Sequence, residues 1–253
     1  MNIRTILVAI LLALGITEIK AQQTHVIEPA VMEVNYHVIF GHNYDDYTLR
    51  IGKNVSQFFS YNKLRFDSLS NSDEASSMII VNEMLEKSKK LNENKDAPVV
   101  ESPGYGDYLY TGLCKDSISV YCQIMFNNFR IVEPNPVLNW NICEDSTRQI
   151  MGFTCHLATV NFRGRLWKAW YTEEIPVMQG PWKLHGLPGL ILCAEVDGFV
   201  NFTAVGIKTD NVTPVTFYNF WREKFEDIER TKYLKKMKTS YPKGTKINVL
   251  ELE

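Results

Sequence analysis

Residues Trp167 to Val205 read WKAWYTEEIPVMQGPWKLHGLPGLILCAEVDGFVNFTAV. They break into a strand, a short loop dense in proline, glycine and tryptophan, and a tight hairpin. Just upstream, Arg163-Gly164 suits a two-residue turn between CHLATVNF and RLWKAWYT. That turn sets Phe162 opposite Arg165, Val160 opposite Trp167, Ala158 opposite Ala169 and His156 opposite Tyr171, with Leu157 opposite Trp170 on the other face. Large side chains facing small or medium ones is what cross-strand packing favours. Downstream, Asp197-Gly198 predicts a type I′ hairpin pairing Val196 with Phe199, Ala194 with Asn201 and Leu192 with Thr203. Apolar residues then fall on both faces, so this hairpin is expected to be covered on both sides. It lies either at the centre of a sheet or in a curved sheet enclosing a helix or a ligand.

Between the two hairpins, Pro176 ends a strand, and Gly180-Pro181-Trp182-Lys183-Leu184-His185-Gly186-Leu187-Pro188-Gly189 follows. Pro188 and Gly189 suit the central positions of a type II turn, which Leu187, Leu190 and Ile191 would pin into the core. Two readings of this loop stand side by side. In one it is a rigid corner whose tryptophan and leucines plug an end of the sheet. In the other, Trp182, Lys183 and His185, with Trp170 nearby, line a mouth for an apolar or anionic ligand, since loops on rigid scaffolds often carry function.

Further out, Met32 to Phe40 alternates as a strand with Val34, Tyr36, Val38 and Phe40 on one face. LRIGKNVSQFFS predicts a hairpin turning near Gly52-Lys53-Asn54. Asp73 to Leu91 shifts to helical spacing, with Met78, Val81, Met84, Leu85 and Leu91 recurring and Ser72 as a cap. From Tyr108 the strands resume: DYLYTGL, then SISVYCQIMFNNFRIVEP, long enough to bend. A helix near 213–238 is expected, with Thr213 capping, Pro214 in the first turn and Phe217, Phe220, Trp221 and Ile228 on one side, ended by Pro242-Lys243-Gly244.

An ordered set of motifs then comes together: Ile150 to Cys155 as I-x-G-aromatic-x-C, Asn161 to Arg165 before Trp167, Ala169 to Thr172, Ile175-Pro176, Gly180-Pro181, and the hexapeptide Gly186 to Ile191. In these the chain closely resembles the GLPGLI family, secreted proteins of Gram-negative bacteria, and IGKNVSQFFSYNKLRFDSL resembles that family's first half. The resemblance covers most of the chain beyond residue 21. It implies export, but the family carries no established activity and so brings no catalytic residues with it.

The N-terminus points the same way. Arg4 precedes an apolar run from Ile6 to Ile16, and Ile19-Lys20-Ala21 leads into Gln22-Gln23. That is the layout of a signal peptide spanning 1–21, cleaved after Ala21, followed by a single β-rich domain over 22–253. Localisation is expected in the periplasm, at the outer membrane or outside the cell, with no transmembrane segment after residue 21. The 253 residues carry 27 Lys and Arg against 29 Asp and Glu, a net charge of -2. No basic face for nucleic acid follows from that balance. In an oxidising compartment the five cysteines allow two pairs, and Cys114 with Cys122, bracketing KDSISVY, is the candidate disulfide. Neither these nor His37, His42, Asp45 and Asp46 match a metal spacing, so no metal and no cofactor are expected. No GxSxG elbow or HExxH motif occurs.

The fold expected is therefore mainly β with minor α: a strongly curved antiparallel sheet or half-barrel carrying one or two helices, with a β-sandwich as the alternative. The function expected is a non-enzymatic binding or chaperone-like module for a lipid, another apolar ligand or a partner segment. The alternatives are an accessory component of an outer-membrane complex and an unrecognised envelope hydrolase. A filled core beneath the sheet would count against a ligand held there.

Overall fold

Two antiparallel meanders joined edge to edge make up most of the molecule. The computed structural model describes residues 23–41, 43–93, 100–101, 106–240 and 249–252. The segment 1–21, His42 and the Pro242-Gly244 stop lie outside the described residues. In chain order the strands are β1 (His25–Glu28), β2 (Ala30–Phe40), β3 (Asn43–Gly52) and β4 (Ser56–Ser60). Helices α1 (Tyr61–Ser70) and α2 (Glu74–Glu93) follow, then β5 (Val100–Glu101), β6 (Tyr108–Thr111), β7 (Ser117–Ile124) and β8 (Asn127–Pro134). The second meander is β9 (Asn141–Ile150), β10 (Phe153–Phe162), β11 (Arg165–Thr172), β12 (Leu190–Val196) and β13 (Val200–Lys208). After it come β14 (Val215–Phe217), β15 (Glu226–Asp227) and α3 (Arg230–Ser240).

A 13-stranded sheet runs in the order β15-β8-β7-β6-β4-β3-β2-β13-β12-β11-β10-β9, with β5 on β3; β1 and β14 form a separate ribbon. The sheet is not closed into a barrel. The seam is the β2–β13 pairing, where the last strand of the second meander meets an early strand of the first. The mainly β, antiparallel expectation therefore holds.

The β10–β11 register is the one that turn chemistry predicts: Phe162 pairs Arg165, Val160 pairs Trp167, Ala158 pairs Ala169 and His156 pairs Tyr171. Arg163 (φ 52) and Gly164 (φ 75) both take positive φ, as a type I′ turn requires. The next hairpin corrects the expectation by one residue. Val196 pairs Val200, Ala194 pairs Phe202 and Cys193 pairs Thr203. Only Gly198 (φ 65) is left-handed there, so the loop is not type I′ and Phe199 becomes the extra residue. Its ring packs edge-on against Phe40 at 4.9 Å and lies under the Arg165 guanidinium at 3.5 Å. Those contacts compensate for the lost pairing.

On the inner face, Ala158, Ala169 and Ala194 stand side by side across β10, β11 and β12, each fully buried. Small side chains leave room above the strands, and Leu184 and Leu187 of the 180–189 loop, 1% exposed each, share the core that fills it. Trp167 (0% exposed) and Phe202 complete that core. Burying one such ring removes roughly 200 Å² from water, a gross gain of about 5 kcal/mol before the unfolded chain's own compactness is discounted.

A second core lies elsewhere, built from Val55, Phe59, Tyr108, Tyr110, Tyr121, Val215, Phe217 and Tyr218. It overturns the helix expected near 213–238, which begins only at Arg230. Residues 215–217 instead pair with β1. The buried Gln57 side chain binds Thr216 at both its carbonyl (2.8 Å) and its amide (3.0 Å). Tyr110 Oη donates to the Thr216 carbonyl at 3.0 Å and accepts from the Tyr218 amide at 3.0 Å. With the backbone satisfied by distant partners, no helix is needed there.

The α2 helix also departs from the expected detail. Asp73, not Ser72, caps it, accepting from the Ser76 amide at 2.9 Å. Of its expected stripe, Met78, Val81 and Leu85 stay about half exposed, while Ile80 is buried. Arg65 of α1 donates from Nη1 and Nη2 to the two carboxylate oxygens of Glu83 of α2, so an ion pair ties the two helices.

Candidate functional site

The Gly180–Gly189 loop turns Lys183 inward. Trp182 adopts φ 57, a left-handed conformation that costs a non-glycine residue about 1 kcal/mol or more. Stacking stabilises it there, with its ring 5.2 Å from Trp167 and 5.6 Å from Phe162. Lys183, 3% exposed, donates from Nζ to Glu133 of β8 and to Glu251. Glu133 also meets Arg163, and lies 3.5 Å from Nε of Arg230. Glu251 lies 3.6 Å from Arg163 Nε and 3.2 Å from Arg230 Nη1. Three cations therefore share two carboxylates, and Lys183 is occupied by protein rather than open to a ligand.

His185 is half-buried; its carbonyl accepts from Trp140 Nε1 at 2.8 Å. Burial holds the imidazole below its ordinary pKa, against a hydrogen bond with the Pro136 backbone. Trp170 lies apart from these three. Three residues from Trp167, it points to the opposite face of β11, beside Leu157 and Cys193. There the Arg148 guanidinium covers its ring at 4.4 Å. The structure thus brings Trp182 and Lys183 together and leaves Trp170 outside.

The motif glycines divide by task. Gly186 takes φ +87 with open space where a side chain would go. Gly189 is not left-handed, which corrects the type II turn. A Cβ there would lie 2.6 Å from the Thr172 carbonyl carbon and 3.0 Å from the Glu173 nitrogen. Its amide bonds back to the Leu187 carbonyl at 2.7 Å, folding tightly around Pro188. Leu190 and Ile191 continue as buried residues of β12, and Asp197 is held by Lys168 at 2.6 Å.

Cys114 and Cys122 are free thiols, so the candidate disulfide is not formed. Cys114 is exposed in the turn between β6 and β7. Cys122 lies buried in β7, one residue past Tyr121, which pairs Tyr108 at the far end of β6. A strand's length separates them, beyond the reach of a disulfide. Burial also raises the thiol pKa of Cys193, and takes that of Cys155 up to about 11, which keeps both protonated and unreactive at neutral pH.

Of the acidic and histidine residues of 37–46, the described ones (His37, Asp45 and Asp46) do not converge on one site. His37 and Asp46 form an exposed pair at 3.0 Å, whereas Asp45 is 4% exposed. No group of residues able to hold a metal occurs among the described residues. Burial pushes the Asp45 carboxyl from 3.8 up to about 6, against hydrogen bonds from Ser60, the Asp46 amide and Asn62. A raised acid pKa stabilises the fold below the unfolded value, and that contribution is lost as pH rises to about 6. Asp45 alone should remove on the order of 3 kcal/mol between pH 4 and pH 7. Urea unfolding of Asp45→Asn at both pH values should show that much less pH dependence; an unchanged slope would refute the assignment.

A cleft of about 270 Å³ opens beside the second core. Its walls include Phe66, Tyr108, Tyr121, Tyr218, Phe220, Trp221 and Phe225. Tyr218 and Phe220 stack at 5.6 Å, and Phe225 meets Tyr121 edge-on at 4.9 Å. A Lys63–Asp67 ion pair also lines the cleft: Lys63 Nζ binds both Asp67 oxygens at 2.7 Å, and Tyr108 Oη donates to Asp67 at 2.8 Å. Gln123, Asn128, Asn219 and Glu223 supply further polar groups. Sequence reasoning missed this site because it placed FYNFW (217–221) on a helix. The signal was present in that run, since aromatic residues lose rotamer freedom in a helix.

The model of a family described as a protein of unknown function (Porph_ging) matches residues 163–193, from the β10–β11 turn to Cys193. No curated protein matches. Among solved structures, PNGF-II in the C2 space group is similar at 13% identity with a TM-score of 0.52, over 87% of this chain and 33% of that one. The P21 form gives 12% identity and a TM-score of 0.51, over 87% and 34%. The chain spans about a third of the length of these neighbours. At such identity the likeness shows the fold alone.

Proposed function

We propose that this chain is an exported, non-enzymatic binding module of the GLPGLI type that acts in the cell envelope. Export rests on the Arg4 and Ile6–Ile16 pattern and on the motif resemblance. The observation that carries binding is the aromatic cleft between α1 and residues 218–225. A ligand under the sheet has no support, because Leu184, Leu187 and Trp167 fill that space. The cleft offers ring faces around an ion pair, the mixed lining that small-molecule sites share. Its volume, near the lower end for such sites, suits a ring-sized flat apolar group better than a pair of acyl chains.

Native mass spectrometry of the protein purified from its own cell envelope tests this. The wild-type chain should carry an added mass that Tyr218→Ala/Phe220→Ala lacks while still folded by circular dichroism. Extraction of the ligand should shift the emission of Trp221, at the cleft wall. A wild-type spectrum with no mass beyond the polypeptide would overturn the reading.

A further inference from the structure

Residues near the end of the sequence fill the charged cluster around Lys183. Residues 249–252, VLEL, belong to no strand. They lie along the β10–β11 turn and are held mainly by side chains. Arg165 donates from Nε to the Leu250 carbonyl at 2.9 Å and from Nη2 to the Val249 carbonyl at 2.7 Å. The Leu252 amide donates to the Arg163 carbonyl at 3.1 Å. Gly164 permits the approach, since a Cβ there would meet the Leu252 side chain at 2.9 Å. Leu250 packs against the main core, and Leu252 stays 42% exposed.

Glu251, between the two leucines, carries the specificity. Its carboxylate reaches Lys183, whose side chain is 2% exposed, as well as Arg163 and Arg230. Without it, Lys183, Arg163 and Arg230 would keep Glu133 as their ion-pair partner, with the Asp107 carboxylate acting on Lys183 from further away, and positive charge would still exceed negative. A buried excess of positive charge is costly, so the emptied site would strongly favour an incoming anion. The backbone contacts add a requirement for an extended peptide, and the core contact of Leu250 adds one for an aliphatic residue before the acid.

We propose that Lys183, Arg163, Arg165 and Arg230 form an acceptor site for an extended peptide segment carrying one glutamate between aliphatic residues, which residues 249–252 fill in cis and a partner protein's segment fills in trans. This goes beyond binding at the aromatic cleft and does not depend on it. The backbone of residues 249–252 is held by two arginine hydrogen bonds and one main-chain bond rather than by a strand ladder, which makes exchange physically accessible.

The test uses the full chain with a protease site placed between residues 241 and 248, cleaved after folding. A fluorescently labelled peptide of sequence NVLELE, residues 248–253, should exchange into the nicked protein and co-elute with it on gel filtration. The unlabelled peptide with Glu251→Gln should compete at least tenfold more weakly. In a second format, the uncut Glu251→Gln chain should bind the labelled wild-type peptide at least tenfold more tightly than the uncut wild type does. Absence of binding in both formats, or equal competition by the glutamine peptide, would overturn the proposal. Loss of the envelope ligand from the cleft would leave these outcomes unchanged, so the two readings fail separately.

Discussion

Replacing Gly189 by alanine should lower the free energy of unfolding by about 3 kcal/mol or more. The backbone of Thr172 and Glu173 lies where the new methyl must go. Both partners are main chain at the end of β11, so relief requires moving β11 and β12 apart. Gly186→Ala is the contrasting case. It has open space but a φ of +87, and should cost about 1–2 kcal/mol through backbone strain alone. Urea denaturation of the two variants at pH 7 measures the difference. Equal losses would mean that Gly189 serves a turn conformation rather than a close approach.

Glu133→Gln should be the most damaging change at the charged cluster, at about 3–5 kcal/mol. It leaves Glu251 as the one ion-pair partner of Lys183, Arg163 and Arg230 among the described residues, with Asp107 acting on Lys183 from further away, in surroundings where Lys183 is 2% and Glu133 10% exposed at the side chain. Lys183→Met removes a cation instead and leaves two arginines with the carboxylates of Glu133 and Glu251, while its similar volume still fills the buried position. Its cost should be smaller, about 1–2 kcal/mol. Chemical denaturation of both variants decides the point: if Lys183→Met proves the worse, charge balance is not what governs this cluster. Salt should change either result little, because pairs this buried are weakly screened.

Most of the sheet was legible in local sequence. The β10–β11 hairpin was readable residue by residue, because Arg163-Gly164 fixes the turn and a period of two fixes the faces. The β3–β4 turn at Gly52 was equally readable, and closes with the Gly52 amide on the Val55 carbonyl at 2.9 Å. The β12–β13 register was not, since Asp197-Gly198 is compatible with loops of different length. Phe40 and Arg165, far along the chain, selected the longer one. The candidate site was legible only in part. Trp182 and Lys183 stood out as residues that could line a ligand mouth, but nothing in GPWKLHGLPG indicates that Glu133 and Glu251 would meet Lys183.

What the sequence alone determined, then, is the β-rich class, the hairpins with short, chemically explicit turns, and the separation of the 163–205 motifs into strands and corner. Each rests on interactions between residues close in the chain, where φ preferences and side-chain alternation act directly. Only the tertiary structure decided that Gly189 yields to the Thr172 backbone, and that residues 215–217 form a strand served by Gln57, separated from Thr216 by 159 positions. It alone also decided that the aromatic run 217–221 walls a cleft, and that Lys183 points into the protein. These outcomes depend on burial and on partners far away in sequence, and a hydrogen bond or charge left without such a partner costs too much for local propensity to prevail.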